Sequence, residues 1–180
     1  MVGAICIWHP YNNFGAHVWH GGRRAQHYAT LSRSRNGSSS NRRHYRSRIL
    51  QQWAASNLGG TPLYYKDALR RWPERHAAAI SAVAWARPGG VLFHCVRGND
   101  RTGIIALLLL ALAGVALDDI LADYELSRPD PERDELLARE HSSVRDAILG
   151  ALAGLNIDSY LLMGGASQDD LAAVRKRLLG

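Results

Sequence analysis

Hydrophobic and polar positions are organised differently in the two parts of the chain. Residues 9–56 show no sustained period, whereas from Thr61 onward apolar residues recur at helical spacing between regular punctuation. Thr61-Pro62 sets a capping side chain before a proline suited to a first helical turn, which predicts a helix through about Trp72. Pro73-Glu74 opens another over 73–87, with Ala77, Ile80 and Ala84 at helical spacing, and Pro88-Gly89-Gly90 ends it. Val91–His94 reads as a short buried strand. The apolar run Ile104–Leu117 predicts a helix opening directly after a turn at 95–101; apolar on every side, it belongs at the centre of the core. Further helices are expected at about 118–128, with Asp118 as cap and Pro129 as stop, at 132–152, and at 167–179. Ser167-Gln168-Asp169-Asp170 has the form of a capping box for the last of these. In the first third only Val2–Trp8 has the make-up of a strand, and it is the candidate neighbour for 91–94, since parallel strands are covered on both sides.

Composition bounds this picture without changing it. With 180 residues, 47% hydrophobic and 21% charged, the chain is long enough to bury the core of one globular domain. The Ile104–Leu117 run is 14 residues, short of the roughly 20 that a membrane-spanning helix needs. No positive region leads into an apolar stretch and a small-residue cleavage site at the N-terminus, so a cytoplasmic location is expected. Cys6 and Cys95 are too few for a disulfide framework, and each has to be explained as a thiol.

Charge does change the picture once it is divided along the chain. Residues 1–60 hold eight arginines and no acid, whereas residues 61–180 hold 14 basic and 16 acidic side chains. The net +6 therefore belongs wholly to the first third, and a compositional boundary falls near Gly59-Gly60. Five of the eight histidines lie by position 44, and 31–48 is a Ser/Arg run with few side chains to bury. Residues 1–57 are accordingly set apart as a basic low-complexity segment, disordered or non-native, the product of a shifted frame or a rearranged gene. A metal site built from Cys6, His9, His17 and His20 fits no familiar ligand spacing, so no metal is expected.

The informative stretch lies between the strand and the central helix: His94-Cys95-Val96-Arg97-Gly98-Asn99-Asp100-Arg101-Thr102-Gly103. Its pattern H-C-x5-R-T-G resembles the signature loop of the cysteine-dependent protein tyrosine phosphatases. The version C-x-x-G-x-D-R-T-G is similar to the bacterial group with an aspartate inside the loop. The resemblance covers roughly Gly60–Gly180, including the less specific stretches Thr61–Tyr65 and Ala122–Ser127, and does not extend to the first third. It implies an α/β fold with a small, parallel-type central sheet and flanking helices, of which residues 58–180 would form the C-terminal part. It also implies phosphomonoester hydrolysis through a phosphocysteine, without a cofactor, on phosphotyrosine or on phosphoserine, phosphothreonine or phosphoinositide. Asn99 stands where lysine is frequent in the family, with Arg97 restoring a positive group at the mouth.

The chemistry explains the spacing. Backbone N–H groups of Val96, Arg97, Gly98, Asn99, Thr102 and Gly103, converging at a helix N-terminus, would cradle a phosphate. Arg101 would fork two donors onto phosphate oxygens, a geometry that lysine cannot match. Cys95 attacks only as thiolate, and the helix end and Arg101 are surroundings that lower a thiol pKa. His94 and Thr102 would tune it. Gly98 and Gly103 would allow the tight turn and close approach.

A leaving-group acid is also needed. Only Asp67, Glu74 and Asp100 precede Arg101 as carboxylates. Asp100 is favoured because it already lies in the loop, as in the resembling group, and Asp67 is the second choice. Two other functions compete with catalysis. One is a phosphate-binding module that uses the same loop without turnover. The other is nucleic-acid binding through the arginine-rich segment, disfavoured because that segment lacks interleaved aromatics and a folded platform.

Overall fold

The computed structural model describes residues 3–6, 61–95, 98, 100–126 and 131–180. Among these, eight α-helices and two strands follow in the order β1 (Gly3–Cys6), α1 (Tyr65–Arg71), α2 (Pro73–Ala84), β2 (Val91–His94), α3 (Arg101–Leu112), α4 (Leu117–Glu125), α5 (Pro131–Arg139), α6 (Val144–Leu152), α7 (Ile157–Met163) and α8 (Gln168–Leu179). The assignments made for residues 7–60, including the Ser/Arg run and the histidines at 9, 17 and 20, lie outside the described residues.

The strand expected near the N-terminus is present. β1 pairs in parallel with β2, and the register aligns Gly3 with Val91 and Cys6 with His94. These two strands are the described sheet. β2 is half buried rather than buried: Val91 and Phe93 turn toward the core, while Leu92 and His94 are exposed. Alternation of side chains along a strand gives one of its faces to α3 and the other to solvent.

α3 is central, as its uniform apolarity predicts. It packs against α2, α4, α7, α8 and β2, and Ile105, Leu108 and Leu112 are almost wholly buried. Its end departs from the sequence expectation, for the helix stops at Leu112 although the apolar run continues to Leu117. Gly114 adopts φ +79°, a conformation that closes the helix, and Leu117 opens the next one. Asp118 is therefore not a cap. The cap position of α4 is Ala116, and Asp118 lies in the first turn, 2.7 Å from Arg145 on α6. The helix predicted at 73–87 ends at Ala84.

The largest correction concerns 132–152, which forms two helices rather than one. α5 ends at Arg139, His141 takes φ +50°, and Ser143 caps α6 by accepting from the Asp146 N–H at 3.0 Å. α7 was not anticipated; Asn156 caps it through Oδ1 to the Ser159 N–H at 2.9 Å. The capping box of α8 is formed as expected: Ser167 accepts from the Asp170 N–H, and Asp170 accepts from the Ser167 N–H. Asp170 also accepts from Ser81 at 2.8 Å and from the Trp85 indole at 2.5 Å, so one carboxylate joins the start of α8 to the end of α2.

A second polar node lies inside the core. Tyr160 on α7 donates to the Leu69 carbonyl at 3.1 Å, and its oxygen is 2.6 Å from His76 Nδ1. A carbonyl can only accept, so the Tyr160 proton is committed to Leu69 and the imidazole donates from Nδ1. Burial, with the Arg75 charge adding to it, pushes His76 down to about 4, so this ring is neutral at ordinary pH.

No single helix among the described residues is long and apolar enough to cross a membrane.

Candidate active site

The site is built where β2 ends and α3 begins. Cys95 follows the strand directly and is 8% exposed. The chain then turns back so that the Gly98 N–H donates to Cys95 Sγ at 3.3 Å. Gly98 does this at φ +87°, in the left-handed region that a side chain would strain. Asp100 occupies the cap position of α3, and Arg101 and Thr102 form its first turn. Between Cys95 and Arg101 the described residues are Gly98, whose N–H reaches the sulfur, and Asp100, at the start of α3.

Burial and the polar groups around Cys95 act on its thiol in opposite directions. Burial raises the thiol pKa, but the hydroxyl and N–H of Thr102, the Gly98 N–H and the Arg101 charge together lower it below the ordinary thiol value. The Thr102 hydroxyl is buried and stands outside conventional hydrogen-bond geometry to the sulfur, so the Gly98 N–H at 3.3 Å is the firmer anchor. A thiol in such surroundings can serve as a nucleophile, and N–H groups at a helix start can bind an anion.

His94 lies on the exposed face of β2, and its Nδ1 donates to the Cys95 carbonyl at 3.0 Å. It reaches its neighbour through the main chain, not through the sulfur. Asp67 stands in the first turn of α1, with its carboxylate 3.8 Å from Arg71. Val96, Arg97 and Asn99, expected as phosphate-binding residues, lie outside the described residues.

Sequence reasoning missed what stands behind the loop. Tyr65, fully buried at the start of α1, donates its hydroxyl to the main-chain carbonyl of Asp100 at 2.8 Å. The hydroxyl of Tyr124, on α4, is 3.3 Å from that of Tyr65, and the two rings meet edge to face. Gly103 lies between them: a Cβ there would come within 2.5 Å of the Tyr65 oxygen and 2.8 Å of Tyr124 Cε2. Both tyrosines fall in the two weaker stretches of resemblance, neither of which by itself gave a sign of this contact. Burial first, then Tyr124 and Cys95, push the Tyr65 hydroxyl well above the usual tyrosine range, with Arg133 opposing. Tyr65 is therefore a permanent donor. Arg133, on α5, is buried, ion-paired to Asp134 at 3.0 Å, and also went unnoticed.

No cluster of three or more His, Cys, Asp or Glu side chains at metal-binding distances occurs among the described residues.

Comparison with known proteins sets this geometry in a family. A family model described as "Tyrosine phosphatase family" matches residues 12–180, and so takes in most of the basic segment as well as the site. A relative from Cupriavidus necator that carries a tyrosine-protein phosphatase name is 53% identical over 78 residues, 42% of this chain and 29% of that protein. A tyrosine-protein phosphatase of Nostoc commune is 56% identical over 45 residues, 25% of this chain and 15% of that protein. A triple specificity protein phosphatase of Mycobacterium tuberculosis is 39% identical over 67 residues, 34% of this chain and 24% of that protein. The matched stretches thus span less than a third of these relatives' own lengths. No solved structure matches the chain. With the family model matched over almost its whole length, the chain belongs to the tyrosine phosphatase family.

Proposed function

We propose that the chain is a cysteine-dependent phosphomonoester hydrolase acting on phosphotyrosine, with phosphoserine, phosphothreonine or phosphoinositide as further substrates, working in the cytoplasm without a cofactor. Residues 58–180 then carry the C-terminal part of the phosphatase-like domain, and 1–57 a basic low-complexity segment. The observation that carries this reading is the state of Cys95: a thiol lowered by N–H groups and a positive charge at the start of a buried helix.

The reaction follows from that arrangement. The Cys95 thiolate attacks phosphorus in line; the S–P bond forms as the P–O bond to the leaving group breaks, and Asp100 gives its proton to the departing oxygen. Arg101 and the loop N–H groups, Thr102 and Gly103 among them, hold the phosphoryl oxygens where charge accumulates. Water then attacks the phosphocysteine, its proton passes to Asp100, and phosphate leaves with the thiolate restored.

Asp100 is preferred over Asp67 on geometry. Tyr65 points its side chain at the loop, and Asp67, two residues further along the same helix, lies on nearly the opposite face. Turnover of p-nitrophenyl phosphate by the native chain, with none by Cys95→Ser, is the expected result; equal turnover by the two would overturn the reading.

A further inference from the structure

The phosphate-binding loop has a foundation that its own sequence does not contain. The carbonyl of Asp100 accepts twice, from the Ile104 N–H at 3.1 Å as the opening bond of α3 and from the Tyr65 hydroxyl at 2.8 Å. Asp100 has φ −83° and ψ −82°, outside helical geometry, and makes no side-chain cap bond. Tyr65 thus adds to the helix bond a second hold on this peptide, from a distant part of the chain. That peptide links Asp100 to Arg101, so its tilt sets where the N–H of Arg101 and then that of Thr102 point.

Tyr65 is itself held by two other tyrosines. Its ring meets Tyr64 edge to face at 5.3 Å and Tyr124 at 6.2 Å, and its oxygen is 3.3 Å from that of Tyr124. The Tyr65 proton is committed to the Asp100 carbonyl, which leaves Tyr124 as donor between the two hydroxyls. Gly103 has no Cβ, and only for that reason can the Tyr65 oxygen come so near to α3. Three segments far apart in sequence therefore meet behind one peptide.

We propose that Tyr65 is a positioning residue of the phosphatase reaction: its hydroxyl, oriented by Tyr124 and admitted by Gly103, fixes the Asp100 peptide so that the first turn of α3 is aimed at Cys95 and at the phosphate. This rests on the phosphatase reading above. A side chain that only fills the core would be replaced by phenylalanine without effect on the loop, since the ring and its contacts are kept. A positioning hydroxyl would not be.

The test is Tyr65→Phe in the full chain, with Tyr124→Phe beside it. It reads kcat and KM for p-nitrophenyl phosphate, the pH dependence of Cys95 alkylation by iodoacetamide, and the melting temperature. Tyr65→Phe is expected to lower kcat roughly tenfold or more, as small misplacements of reacting groups do, and to move the alkylation profile to higher pH. Its melting temperature should fall by only about a few degrees. Tyr124→Phe keeps the bond to Asp100 and should show the same changes at smaller amplitude. Unchanged kcat and alkylation profile in Tyr65→Phe would overturn the proposal, as would a loss of activity that only tracks a loss of folded protein while the profile of Cys95 stays in place. If the native chain shows no turnover, the phosphatase reading fails by itself. The shift of the alkylation profile between native chain and Tyr65→Phe then still decides whether the hydroxyl positions the loop.

Discussion

Gly103 and Tyr65 share a space with no room for a methyl group: a Cβ on the glycine would stand 2.5 Å from the tyrosine oxygen and 2.8 Å from the ring of Tyr124. Neither ring can withdraw, because both are buried in the core. Gly103→Ala should therefore cost about 1–3 kcal/mol of stability, the usual range for overpacking, and displace the first turn of α3. A melting curve with a kcat measurement checks this. A fully active variant of native stability would mean that the contact relaxes freely.

The Cys95 thiol is lowered although burial works against it, so removing one of the opposing groups should let it rise. Alkylation of the native chain by iodoacetamide should reach half its maximal rate at a pH below the ordinary thiol range of about 8.5. In Thr102→Ala the midpoint should move upward. A native midpoint at or above the ordinary range would remove the main support for catalysis.

The identity of the acid is decided by leaving groups. Asp100→Asn should lower turnover by roughly 10²–10⁴, with the larger loss for phosphotyrosine and the smaller for p-nitrophenyl phosphate, whose departing oxygen needs less help. Asp67→Asn should leave that ratio unchanged, because the carboxylate faces Arg71 and not the loop. Leaving-group selectivity confined to Asp67→Asn would assign the acid to α1.

His76 makes stability depend on pH. Its folded value of about 4 lies below the unfolded 6.5, so between the two the unfolded chain binds the proton more readily. The contribution of the neutral ring is whole above pH 6.5 and is lost as pH falls toward 4, by roughly 3 kcal/mol at most. Denaturant midpoints measured from pH 7 to pH 4 should fall more steeply for the native chain than for His76→Gln. Parallel slopes would show that the ring titrates freely.

Asp170 joins α8 to α2 through Ser167, Ser81 and Trp85. Asp170→Ala removes the acceptor for three donors at once and should cost about 2 kcal/mol or more, since part of that node is buried. Thermal unfolding measures it, and kcat of the folded fraction should stay near the native value.

Local order came from the sequence alone wherever one residue type has one physical use. Proline after Thr61 and before Glu74, the apolar run after Arg101, the Ser167–Asp170 box and the strand before Cys95 each required no distant partner to be read. The chemistry proposed for Cys95, Arg101 and Thr102 rests on the same kind of local pattern, because six residues separate the thiol from the arginine that opens α3. The sequence was less informative where a boundary depends on backbone conformation: His141 at φ +50° splits 132–152, and Gly114 ends α3 inside an apolar run whose composition does not change there. Tertiary structure alone decided what lies behind the loop. Tyr65, Gly103 and Tyr124 are far apart in the chain, and each taken singly is an ordinary core residue or helix glycine. A hydrogen bond between residues 35 apart depends on how α1 and α4 pack against α3, and no local pattern encodes that packing.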